Sequence, residues 1–100
     1  MQSISAQELK NKMDSKVDFQ LIDVREPDEH VAFNIGGILI PLNEIVQQSN
    51  KIATDKPVVI YCHHGIRSQI AIQRLQEKFA FANLINLIGG TAAWEKQFGV

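Results

Sequence analysis

The run Cys62-His63-His64-Gly65-Ile66-Arg67-Ser68 holds the chain's only cysteine, two of its three histidines and an arginine. Cysteine reacts as the thiolate, so its surroundings decide whether it is a nucleophile. Val58 to Tyr61 is an unbroken apolar, β-branched and aromatic run, the pattern of a strand buried on both faces. From Ser68 onward Ile72, Leu75 and Phe79 recur at helical spacing, which predicts a helix. Cys62 therefore lies between a strand end and a helix start. Helix N-termini present N–H groups without intrahelical partners, and their dipole favours negative charge. Gly65 lets the loop turn where a side chain would obstruct it. A lone cysteine is often a buried, inert thiol. This placement, with Gly65 and Arg67 following, favours an anionic sulfur nucleophile instead.

The elements that must position the loop alternate between helix and strand. Ser5 reads as an N-cap, with Glu8 completing a capping box and Ile4 stapled to Leu9. A first helix is expected from about Ala6 to Met13, with Leu9 and Met13 on its buried side. Phe19 to Val24 reads as the first buried strand, carrying Asp23 and Arg25 at its C-terminal end, the edge where open α/β sheets form sites. Those two residues are expected to brace the loops as an ion pair rather than to react. Pro27 opens a short helix whose dipole is complemented by Asp28 and Glu29. A short strand over Ile38 to Ile40, a short helix over Pro41 to Val46 and a polar connection from Ser49 to Lys56 follow. Asn83 to Leu87 supplies another strand, and Gly89-Gly90-Thr91 leads into a last helix bearing Ala92, Ala93 and Trp94. The alternation predicts an α/β fold, with a mostly parallel central sheet covered by helices on both faces.

At 100 residues with 45% hydrophobic content, the chain is expected to form one domain. A formal net charge of −1 gives no general attraction to nucleic acid or anionic lipid. No apolar stretch approaches the length of a membrane span, and Met1-Gln2-Ser3-Ile4-Ser5 lacks the basic and apolar regions of a signal peptide. One cysteine forms no internal disulfide, which fits a cytoplasmic location.

Three stretches together resemble the rhodanese-like sulfurtransferases. The loop Cys62-His63-His64-Gly65-Ile66-Arg67-Ser68 is similar to that family's active-site pattern Cys-x-x-Gly-x-Arg-Ser. Leu21-Ile22-Asp23-Val24-Arg25-Glu26-Pro27-Asp28-Glu29 and Leu87-Ile88-Gly89-Gly90-Thr91-Ala92-Ala93-Trp94 agree in order and separation. The resemblance implies a rhodanese fold with five central strands over residues 1–100, without cofactor or metal. It implies that Cys62 accepts a sulfane sulfur as a persulfide, and that His63, His64, Gly65, Ile66, Arg67 and Ser68 bind the substrate. The implied partners are a small anionic donor such as thiosulfate, or a protein persulfide, and a thiol, cyanide or protein acceptor. Two places depart from the family. Its Gly-His-Ile-Pro-Gly-Ala becomes Phe33-Asn34-Ile35-Gly36-Gly37-Ile38, and the paired glycines are expected to loosen that connection. Ala80-Phe81 stands where the family has a helix-ending glycine, so the preceding helix is expected to end differently or run on.

A cation at a helix N-terminus opposes the dipole, so Arg67 needs a reason to be there. An anionic substrate would supply one, and so would a carboxylate such as Asp23 or Glu26. One or both of the His63 and His64 imidazoles are expected to edge the pocket and attract a dianion such as thiosulfate. A zinc site with Cys62 is disfavoured, because three consecutive residues rarely converge on one ion. Gly89, Gly90 and Trp94 read as close backbone packing and a core aromatic. The Cys-x4-Arg spacing separates chemistries: phosphatases and arsenate reductases with a cysteine anion cradle carry Cys-x5-Arg, and the shorter loop suits a single terminal sulfur. Sulfur transfer is preferred, with a non-catalytic or relay module as the alternative.

Overall fold

Five short parallel strands collect the chain's apolar runs. The computed structural model describes residues 1–99. In chain order the elements are β1 (Gln2–Ile4), α1 (Ala6–Asp14), β2 (Gln20–Asp23), α2 (Pro27–Ala32), β3 (Ile38–Leu39), β4 (Val58–Tyr61), α3 (Ile66–Lys78), β5 (Leu84–Leu87) and α4 (Gly90–Phe98). The sheet order is β1-β5-β4-β2-β3, and every neighbouring pair is parallel. β4 lies at the centre with all four residues buried, which is why its sequence is continuously apolar. Strand alternation divides its side chains between two cores. Val58 and Ile60 pack with Ile22, Ile72 and Leu75 beneath α3. Val59 and Tyr61 pack with Leu9, Leu21 and Trp94 beneath α1 and α4. Each such aliphatic side chain contributes ~1.5–3 kcal/mol on burial. Among the described residues, no helix is long and apolar enough to cross a membrane.

The N-terminal expectations hold: Ser5 and Glu8 form the reciprocal capping box at 3.0 Å each, and Ile4 shares a core with Leu9. Several boundaries differ. The fifth strand is β1, which sequence patterning does not mark because only Ile4 of its three residues is buried. The sheet expected as mostly parallel is parallel in every pairing. Pro41 to Val46 forms only a 3-10 turn at Leu42–Glu44, and the connection after Ser49 contains another at Ser49–Lys51 while burying Ile52. α3 begins at Ile66, two residues before the position expected. It ends at Lys78, and Phe79, expected on the apolar face, is 39% exposed. Phe79 leaves the helix in extended backbone (φ −135°, ψ 164°), a conformation that requires no glycine.

The Gly36-Gly37 connection is a tied turn rather than a loose one. Asn34 Nδ2 donates to the His30 carbonyl at 2.9 Å, and its Oδ1 accepts from Gly36 N–H at 2.9 Å. Gly37 has φ +84°, and a Cβ there would lie 2.2 Å from the Leu21 carbonyl oxygen. Tyr61 Oη donates to the Gly36 carbonyl at 2.9 Å. Burial raises the Tyr61 hydroxyl pKa well above its ordinary value, with the Asp23 charge acting in the same direction, so it stays a donor.

The bracing role expected of Asp23 and Arg25 is present in full. Asp23 is completely buried and accepts from the Arg25 backbone N–H at 3.0 Å and from Arg25 Nη2 at 2.9 Å. His30 Nδ1 lies 2.8 Å from the same carboxylate, and Arg25 Nη2 also donates to the Phe33 carbonyl at 2.6 Å. Burial opposes the Arg25 charge, but the Asp23 hydrogen bonds and charge outweigh it and raise its pKa. Breaking a buried pair from one side leaves an uncompensated charge. Asp23→Asn is therefore expected to destabilise the fold by about 3 kcal/mol in urea titrations, against about 1 kcal/mol for Tyr61→Phe. A smaller loss in Asp23→Asn than in Tyr61→Phe would contradict this account.

Candidate active site

The sulfur of Cys62 sits at the bottom of a loop that starts where β4 ends. Cys62 is 1% exposed. Gly65 N–H donates to Sγ at 3.1 Å and Ser68 N–H at 3.3 Å, while Ser68 Oγ stands 3.5 Å away. Gly65 has φ +93°, the left-handed region, which curls the chain so that α3 can begin at Ile66. Ile66, Arg67 and Ser68 form the first turn of α3, whose N–H groups have no intrahelical acceptor. The strand–loop–helix arrangement expected around the cysteine is thus present, with the helix turn ending at the sulfur. Ser68 Oγ donates in turn to Asn86 Oδ1, and both residues are buried.

The outer wall of the loop is the start of α4. Thr91 N–H donates to the Cys62 carbonyl at 2.9 Å, and Ala92 N–H to the His63 carbonyl at 3.0 Å. Gly90 has φ +59°, and a Cβ on it would lie 2.2 Å from the Cys62 carbonyl oxygen. Gly89-Gly90 is therefore part of the loop's support. His63 Nδ1 lies 3.0 Å from Thr91 Oγ1, and its ring packs against His64 with centroids 4.0 Å apart. His64 is exposed and, with Ser3, Gln69, Asn86 and Ile88, lines an adjoining cavity of about 380 Å³. Of the two imidazoles only that of His64 edges this cavity, while His63 is turned towards α4. Among the described residues, no cluster of three His, Cys, Asp or Glu side chains is arranged to hold a metal ion.

Arg67 reaches away from the carboxylates expected for it. Its Nη1 and Nη2 donate to Glu29 Oε1 and Oε2 at 2.7 and 2.9 Å, a bidentate pair, while Asp23 is taken by Arg25 and His30. Glu29 Oε1 also accepts from Glu26 N–H at 3.0 Å. The Arg67 hydrogen bonds hold the Glu29 carboxyl down to about 2, and the same bonds raise the Arg67 pKa. Glu29 was legible as a helix-start acid but not as this partner. The two residues lie on different elements, and only the placement of α2 over the loop brings them together.

A buried sulfur ringed by amide N–H donors can hold negative charge away from bulk water. Hydrogen bonds to a charged group contribute about 1.5–3 kcal/mol each. The loop's shape should depend on the absence of a side chain at position 90. Gly90→Ala is expected to lower stability by at least about 2 kcal/mol, whereas Gly99→Ala, also at positive φ but with open space around it, should cost about 1 kcal/mol. Equal losses would refute the steric argument. The Glu29–Arg67 pair makes a separate prediction for acid. A carboxyl depressed from 4.5 to about 2 adds stability that is complete above 4.5 and fades as pH falls towards 2. The stability advantage over Glu29→Gln, measured by denaturant titration, should be constant above pH 4.5 and shrink below it.

Residues 5–97 match the rhodanese-like domain family. The thiosulfate sulfurtransferase GlpE of Coxiella burnetii is 36% identical over 81 residues, covering 80% of this chain and 75% of that protein. A putative sulfur carrier protein of Bacillus subtilis, YrkF, is 35% identical over 92 residues, covering 91% of this chain. The match spans only about half (49%) of that relative's length. Among solved structures, a rhodanese-like domain protein from Staphylococcus aureus superimposes with a TM-score of 0.84 at 32% identity, covering 94% of this chain and 91% of that one. The all-parallel sheet, the cysteine loop and these matches agree: the chain belongs to the rhodanese-like domain family.

Proposed function

We propose that this protein is a thiosulfate sulfurtransferase that carries a sulfane sulfur on Cys62. The observation that supports this best is the aim of the Gly65 and Ser68 N–H groups at Sγ, in a site where the sulfur is nearly buried. In the proposed cycle, the Cys62 thiolate attacks the outer sulfur of thiosulfate. The S–S bond breaks and sulfite leaves with its electron pair. The persulfide formed is again an anion, and the loop N–H groups that faced the thiolate face it in turn. Cyanide, a thiol or a protein cysteine then attacks the terminal sulfur and Cys62 departs as thiolate, completing a ping-pong transfer. Gly65, Ile66 and Ser68 supply the backbone cradle, and His63 and His64 line the approach. Arg67 braces the loop through Glu29. Residues 1–100 act as one unit in this reading, and the single free thiol suits a reducing compartment such as the cytoplasm.

A relay role is the second reading, favoured by the similarity to the sulfur carrier protein of Bacillus subtilis. There the donor is a protein persulfide, while the role of Cys62 is unchanged. Intact mass after incubation with thiosulfate separates the two. The sulfurtransferase reading expects one sulfur atom gained, mapped to Cys62 and removed by cyanide. No gain, with Cys62 free and reduced, would favour a dedicated donor. Cys62→Ala and Cys62→Ser should both lose sulfur loading and turnover; transfer surviving in either variant would refute Cys62 as the carrier.

A further inference from the structure

Arg25 and Arg67 are each matched by a carboxylate. Arg25 is held by Asp23, with side chains only 5% and 0% exposed. Arg67 is held by Glu29 through two parallel N–H···O bonds, and these side chains are 34% and 30% exposed. The second pair therefore reaches solvent beside the nucleophile's loop. A bidentate carboxylate occupies one edge of the guanidinium and cancels most of its charge at a distance. A multiply charged donor approaching Cys62 meets this neutral pair rather than a free cation. Glu29 sits on α2, whose place is set by the Asp23–His30 contact and the Asn34 cap, so it is held there independently of any ligand.

Resting on the sulfurtransferase reading above, we propose that Glu29 is a specificity-determining residue: by occupying Arg67 it turns the site away from dianionic sulfur donors and towards donors of lower charge. The Coulomb energy is linear in donor charge, so two donors of similar shape and different charge expose the effect. Thiosulfate and methanethiosulfonate form such a pair. Both present an outer sulfane sulfur, and a methyl group in the second replaces an anionic oxygen. With either, the Cys62 thiolate pair forms the new S–S bond, the donor's S–S bond breaks, and its pair leaves on sulfite or methanesulfinate. No oxidant or reductant takes part.

The test is initial-rate kinetics with cyanide as acceptor at low ionic strength, on the unmodified protein and on Glu29→Gln. The variant is expected to lower KM for thiosulfate about 5-fold at unchanged kcat, and KM for methanethiosulfonate only about 2-fold, because half the charge gives half the logarithm. Added salt should compress both effects. Glu29→Asp, which keeps the charge, should stay near the unmodified protein. Should Glu29→Gln lose its fold by circular dichroism, Glu29→Ala carries the same expectation. KM values that do not fall, or that fall equally for the two donors, would overturn this inference while leaving sulfur transfer intact. If the unmodified protein takes sulfur from neither donor, the sulfurtransferase reading fails and this inference with it.

Discussion

Two hydrogen bonds from the first turn of α4 hold the cysteine loop in shape, from Thr91 N–H to the Cys62 carbonyl and from Ala92 N–H to the His63 carbonyl. A trans peptide is planar, with C=O and N–H pointing opposite ways. Holding those two carbonyls against α4 therefore turns the next two N–H groups, those of His63 and His64, away from α4. The contact is close enough that position 90 has no room for a side chain. The sheet makes it possible. β5 pairs with β4 so that Asn86 stands beside Ile60, which brings the start of α4 level with Cys62. The same register places Asn86 where it receives the Ser68 hydroxyl. The glycines before α4 and the loop after β4 thus form one support, built from neighbouring strand ends.

Asp23 does the corresponding work on the other side. It closes β2, ties Arg25 and His30, and so fixes α2 over the loop. Moving a carboxylate and a guanidinium out of water is costly, and their attraction returns that cost only with good geometry. The value of this cluster lies in position more than in net stability. Because His30 and Glu29 are adjacent on α2, anchoring the first aims the second. The Glu29–Arg67 pair is in this sense downstream of the buried Asp23 carboxylate.

Local patterns made much of this legible. The capping box of α1, the all-apolar β4 and the cysteine between strand and helix each follow from residues close in sequence. What could not be read is what arises between distant segments. β1 has three residues and little apolar pattern, and it becomes a strand only because β5 offers an edge. Phe79 fits the helical spacing of Ile72 and Leu75 but falls one step past the helix end, where the face no longer meets the core. Gly36-Gly37 looked like slack, yet the close approach to Leu21 requires a glycine at position 37. The carboxylate for Arg67 could be guessed only in kind. Asp23 and Glu26 are near enough in sequence to Glu29 that nothing short of the fold distinguishes them.

The burial of Sγ has a consequence for the order of events in the proposed cycle. At 1% exposure the Cys62 sulfur is within reach of a donor that projects a single atom into the loop. An outer sulfane sulfur does this, and so would a persulfide at the end of a flexible side chain. Loading then moves the reactive atom one S–S bond along, about 2.05 Å from Sγ. In the proposed cycle Glu29 and Arg67 stand beside the loop in both half-reactions, so their charges meet the acceptor as well as the donor.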